Sequence, residues 1–123
     1  MKEEEVFVGS GNVFEDLGYP NPEEALAKAD LARQIYKSIK TRRLTQKRAA
    51  EIMGIDQPKV SDIIRGKLSR YSIDRLMRFL RLLGKDIEIR VKDREGKKTN
   101  PLLSVIEDTS SKQRRNFRIP PRI

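Results

Sequence analysis

The chain predicts a mainly α-helical fold carrying one strand after its last helix, and three observations support this. Apolar residues recur at three- and four-residue spacing through its middle, the pattern of helices with one buried face. Helix start and stop signals fall at the ends of each periodic stretch. Strict two-residue alternation is confined to Lys85–Lys92, where Ile87, Ile89 and Val91 interleave with Asp86, Glu88, Arg90 and Lys92.

Residues 1–20 hold a VFV triplet at 6–8 and a VFEDLGYP stretch without a sustained period, and they predict an extended arm. Asn21-Pro22-Glu23-Glu24 reads as a helix start, with Asn21 as cap, Pro22 at the first helical position and Glu24 as capping-box partner. The helix should run to about Lys40, with Leu31, Ala32, Ile35, Tyr36 and Ile39 on its buried stripe. Leu44 to Gly66, LTQKRAAEIMGIDQPKVSDIIRG, then predicts two short helices, about 45–53 and 57–65, joined by a turn. Thr45 and Asp56 are the expected caps. Gly54 suits the left-handed residue that closes a helix, and Pro58 is tolerated in a first turn. Ala49 and Ala50 are small enough for the two helices to cross closely, while Val60, Ile63 and Ile64 turn inward. Ser72 starts a last helix that ends at Gly84, with Ile73, Leu76, Leu80 and Leu83 packing beneath the motif.

A short helix, a turn and a second short helix is the layout of a DNA-reading helix-turn-helix, whose second helix lies in the major groove. Gln57, Lys59, Ser61 and Asp62 face outward from that helix and are candidate base contacts: glutamine toward adenine, lysine toward guanine acceptors, aspartate toward cytosine N4. Arg43, Thr45, Gln46, Lys47, Arg65, Lys67 and Arg70 are candidate backbone contacts, as is Arg42; such contacts supply affinity rather than sequence choice. Charge supports the same division. Residues 1–30 carry a net charge of −6, residues 31–92 of +11 and residues 93–123 of +4, within a total of +9. A basic middle with an acidic leader implies two partners, or a leader that shields the basic surface.

The motif resembles the XRE family of helix-turn-helix proteins, which includes phage cI and Cro repressors. The resemblance rests on Thr45-Gln46, Ala49-Ala50, Gly54, Gln57, Val60, Ile63 and Gly66-Lys67. It implies the five-helix fold of the Cro and cI type, and DNA contacts at Gln46 and Gln57. The position of Pro58 carries a hydrogen-bonding residue in many relatives; proline offers at most an apolar contact. The wider frame is GNVFEDLG (11–18), a long alanine-rich helix, the motif and GKDIEIRV (84–91). It resembles HigA-like antitoxins encoded beside small basic ribonuclease toxins of the HigB and RelE kind. The resemblance implies a regulator that neutralises such a toxin and represses its own operon. The alternative is a stand-alone phage-type repressor without a toxin.

The division expected is an acidic N-terminal arm (1–20), the helix-turn-helix domain (21–84), a dimerisation strand (85–92) and a basic C-terminal tail (93–123). The last helix is apolar on more than one face, through Met77, Phe79 and Leu82. A lone strand leaves unpaired backbone groups. The expected use of both is a two-fold dimer built from Met77, Phe79, Leu82, Ile87, Ile89 and Val91; pairing with the VFV triplet is the other option. A dimer of this kind would read a pseudo-palindromic operator in double-stranded DNA. The arm, with Val6, Phe7, Val8, Val13, Phe14 and Leu17, has the composition of a segment that orders on a basic protein partner. Alternatively, it tucks Phe14 and Leu17 against the first long helix. The tail, KQRRNFRIPPRI, could follow the DNA backbone or form a small strand.

Composition excludes several chemistries. Cysteine and histidine are both absent, so a disulfide framework, a thiolate or histidine metal site and a Ser-His-Asp triad are unavailable. No cofactor and no enzymatic activity is expected. No apolar run approaches 18 residues, and Met-Lys-Glu-Glu-Glu is no secretion signal, so no membrane partner and a cytoplasmic location are expected.

Overall fold

In the computed structural model the described residues are 12–94, 96 and 103–108. They form five helices: α1 (Val13–Asp16), α2 (Pro22–Thr41), α3 (Gln46–Met53), α4 (Gln57–Ile64) and α5 (Ile73–Leu82). The VFV triplet and most of the basic tail lie outside the described residues, as does the expected role of each.

Helix α2, 20 residues and roughly 30 Å long, is the axis of the domain. Its stripe of Ala27, Leu31, Ala32, Ile35 and Ile39 is buried, and α5 packs along it. Tyr36, expected on that stripe, is instead 42% exposed, with Lys40 Nζ 5.8 Å from its ring centre. The ring flanks the stripe, where its aromatic face can meet a cation.

Helices α3 and α4 cross at Ala49 and Ala50, which are 0% and 6% exposed, and they close over Val60, Ile63 and Met53. The buried cluster continues through Leu76, Phe79, Leu80 and Leu83 of α5 and its end, with Tyr71 beside them. Each fully buried aliphatic side chain contributes on the order of 1.5–3 kcal/mol relative to exposure.

Capping follows local chemistry in part. Thr45 Oγ1 accepts from Arg48 N at 3.0 Å and Ser72 Oγ from Arg75 N at 3.1 Å. Asp56 and Asn21 stand at their N-cap positions but make no side-chain cap bond. The Asp56 carboxylate instead lies 3.6 Å from Lys59 Nζ, an ion pair that draws it away from the helix amides.

The expected extended arm is corrected at Val13–Asp16, which is one turn of helix. Asn12 Oδ1 accepts from the backbone of Phe14 and Glu15, and Asn12 Nδ2 donates to Pro22 O at 3.0 Å. Glu15 and Asp16 sit in the first turn, where the helix dipole favours acids. Phe14 packs edge-on to Tyr19 with centroids 4.9 Å apart, and Leu17 remains 67% exposed.

The expected strand at 85–92 is not formed within the single chain: no strand occurs among the described residues. Past the Lys85 N to Leu80 O bond, no backbone–backbone hydrogen bond joins residues 86–93 to any described residue. A ladder needs a second backbone bonded to the first, and no described residue supplies one to this segment. Ile87 leans on the core, while Ile89 and Val91 are 74% and 89% exposed.

Of the other expected dimer contacts, Phe79 is 2% exposed and belongs to the core, its ring edge-on to Tyr71 at 6.2 Å. The broad apolar surface of α5 thus divides, with Phe79 inward, Met77 half-buried against the core and Leu82 42% exposed.

Candidate nucleic-acid interface

The surface around α4 is built by its two ends. Asp56 turns the chain and Gln57 is the first helical residue, exposed, with Pro58 exposed beside it. Val60 and Ile63 are buried at 0% and 1%, pinning the helix onto α2 and α3 and fixing which side meets solvent.

The four candidate base contacts are not equivalent. Gln57 is free-standing at the tip. Lys59 and Ser61 are half-buried along the flanks, with Lys59 held near Asp56. Asp62 is half-buried toward Tyr71, and its carboxylate acts on that phenol. Burial pushes the Tyr71 hydroxyl above its ordinary value of 10.0; Asp62 adds to the rise, while Arg70 and Arg75 oppose it. The Tyr71 hydroxyl is buried and has no hydrogen-bond partner among the described residues.

The candidate backbone contacts Arg43, Thr45, Gln46, Lys47, Arg65, Lys67 and Arg70 are all exposed, at the end of α2, the start of α3 and the loop after α4. Thr45 already uses its hydroxyl as a cap. Arg43, Lys47, Arg65, Lys67 and Arg70 form no salt bridge among the described residues. The other cations nearby are engaged: Arg48 pairs with Glu51 at 3.0 Å, and Arg75 lies 5.1 and 5.5 Å from the Tyr71 and Phe79 ring centres. Arg42, also exposed, is anchored: its Nη1 donates to Leu83 O at 2.9 Å, tying the end of α2 to the end of α5. No local signal in the sequence marks that tie, because its acceptor lies 41 residues away.

Arg43 has a further distinction. The chain leaves α2 through paired bonds, Leu44 N to Ile39 O and Arg43 N to Lys40 O, that place Arg43 in the left-handed region at φ 57°. The same paired bonding ends α4 and α5, with Gly66 and Gly84 in the left-handed position at φ 82° and 99°. Glycine also holds that position after α3, at Gly54. Among the described residues, only at the end of α2 does a side chain bear the left-handed backbone, and that side chain is a cation without a salt bridge among them, on the α3 edge of this surface.

Among the described residues no cluster of three potential metal ligands occurs, and no helix is long and apolar enough to cross a membrane. The surface has the features of an anion-binding face: unpaired cations around a short, rigidly seated helix with polar side chains at its tip.

Comparison with known proteins accords with this geometry. A family model described as a helix-turn-helix domain matches residues 13–92, which take in all five helices and the segment that follows them. A solved structure described as a candidate XRE family transcriptional regulator shares 36% sequence identity with the chain at a TM-score of 0.68. The similarity covers 72% of this chain and 100% of that one. No curated protein matches the chain. By motif, architecture and identity together, the chain belongs to the XRE family of helix-turn-helix transcriptional regulators, a family that binds DNA.

Proposed function

We propose that the protein binds a pseudo-palindromic operator as a two-fold dimer, represses its own operon and serves as the antitoxin of a HigBA- or RelE-like pair. The observation that carries the DNA reading is the exposed tip of α4, with Gln57 foremost and unpaired Arg43, Lys47, Arg65, Lys67 and Arg70 around it. Gln57 reads a base edge while the cations hold phosphates, and Lys59, Ser61 and Asp62 meet flanking bases. A dimer sets two such helices about one DNA turn, ~34 Å, apart.

Support for the dimer comes from an apolar strip left uncovered. Leu82, Ile89 and Val91 are solvent-exposed, and a groove of about 490 Å³ runs between Met77, Arg78 and Arg81 of α5 and Ile87 and Ile89. Alternating residues with unpaired backbone groups form a strand when a second copy supplies the ladder. The antitoxin role is supported by the resemblance of the sequence frame and by the contrast between an acidic leader and a basic domain.

Co-expression with the product of the adjacent gene, followed by a gel shift on the shared promoter, tests both parts. A co-purifying basic ribonuclease and a specific shift are expected. A specific shift without any such partner makes the protein a stand-alone repressor, and failure to shift the promoter refutes the DNA reading.

A further inference from the structure

Beside α4 lies an apolar groove of about 920 Å³, near the top of the roughly 300–1,000 Å³ range of small-ligand sites. Its floor is the small-residue face of α2, Ala25, Ala29 and Ala32. Phe14 stands on one wall, with Ile64 and Leu68 on the other. Protein interiors are close-packed, so apolar walls held this far apart invite an apolar occupant.

We infer that the groove receives the chain's own leader, with Val6, Phe7 and Val8 seated in it and Glu3, Glu4 and Glu5 at its rim. Seated in this way, the leader competes with DNA phosphates for Lys67. Three observations meet here. First, the chain enters the described region at the groove: Asn12 is tied to Pro22 O and to the amides of Phe14 and Glu15, and Phe14 is a wall. The four Cα–Cα steps from Val8 to Asn12 span up to ~14 Å, enough to turn back into a groove that begins two residues on.

Second, the leader matches in composition, because three adjacent apolar residues at 6–8 directly follow three glutamates at 3–5. Third, the rim cations Lys28, Arg33 and Lys67 are unequally engaged. Lys28 faces Glu24 at 3.9 Å and Arg33 pairs with Asp30, whereas Lys67 has no carboxylate partner among the described residues. An incoming glutamate therefore finds Lys67 open, and Lys67 follows α4 at the edge of the candidate DNA surface.

The competitive part rests on the DNA reading proposed above, whereas the docking part does not. The test uses the full chain, a variant carrying Val6→Ser, Phe7→Ser and Val8→Ser, and a variant carrying Glu3→Gln, Glu4→Gln and Glu5→Gln. Two-dimensional amide NMR reads the groove directly, and fluorescence anisotropy with a random-sequence duplex across a salt series reads DNA. The serine variant is expected to shift the amides of Ala25, Ala29 and Leu68. Both variants should bind the duplex several-fold more tightly at low salt, with a log–log salt slope steeper by about 1.

Groove amides that ignore the serine substitutions overturn the docking. Amides that move instead with protein concentration assign the groove to a second copy and overturn it as well. Moved amides with unaltered DNA affinity overturn the competition. If no form of the chain binds DNA, the DNA reading fails and the competition falls with it, while the amide shifts still decide the docking.

Discussion

Replacing Arg43 by glycine should separate folding from binding in one substitution. Arg43 holds φ 57° at the end of α2, a position equivalent to those held by Gly54, Gly66 and Gly84 in this same fold. A left-handed residue bearing a Cβ costs roughly 1–2 kcal/mol. Glycine removes that strain but frees the unfolded chain by about 0.4–1 kcal/mol. The net expectation is a gain of ~0.5–1 kcal/mol, which raises the midpoint of a domain of this size by roughly 2–8 °C. In the same variant one unpaired cation disappears, so the salt slope of DNA binding should flatten by about 0.9, or ~3.5-fold in affinity between 50 and 200 mM salt.

Arg43→Ala completes the comparison, because it keeps the strain and loses the charge. It should bind DNA as weakly as the glycine variant without the gain in stability. Thermal and urea unfolding give the first quantity, and anisotropy across a salt series gives the second. A glycine variant no more stable than the alanine variant would refute the strain argument. An unchanged salt slope in both would remove Arg43 from the phosphate contacts.

Gln57→Ala should cost ~1–3 kcal/mol on the operator and relax preference at one base pair, with little change on random DNA, as read by competition binding. Lys67→Ala should instead weaken operator and random duplex alike; identical behaviour of these two variants on both DNAs would end the division between reading and holding. Leu76, 0% exposed between α2 and the motif, should cost ~2–5 kcal/mol as Leu76→Ala in urea unfolding. The Lys37 ammonium, 2.8 Å from Glu107, holds that carboxyl below its usual 4.5, with a smaller contribution from Gln34. Because the folded value is depressed, this link is present above about pH 4.5 and is lost as pH falls through the lower folded value. A carboxyl NMR titration of Glu107 should show a midpoint that returns to the ordinary value in Lys37→Met.

Helices α2 to α5, their order and the turn between α3 and α4 were legible in the sequence, because the physics that sets them is local. Thr45 and Ser72 reach amides three residues on, Gly54 accepts a left-handed backbone unaided, and apolar spacing names Leu31, Ile35, Val60, Ile63 and Leu76 as inward. Asp56 and Asn21 show the limit of such signals, since a cap residue type does not dictate which partner its side chain takes.

Tertiary structure alone decided how wide apolar surfaces were divided. Phe79 and Leu82 look alike as residues on α5, yet Phe79 meets Tyr71 inside and Leu82 faces water. The alternation at 85–92 is a strand pattern in sequence, but hydrogen-bonded strands require a neighbour, and the described chain offers none. Which cations stand free around α4 was likewise beyond the sequence. Arg42 found a carbonyl on α5, while Arg43 next to it was turned outward by a left-handed backbone. Residue type and spacing carry the local rules, whereas pairings across tens of residues exist only once the helices have packed.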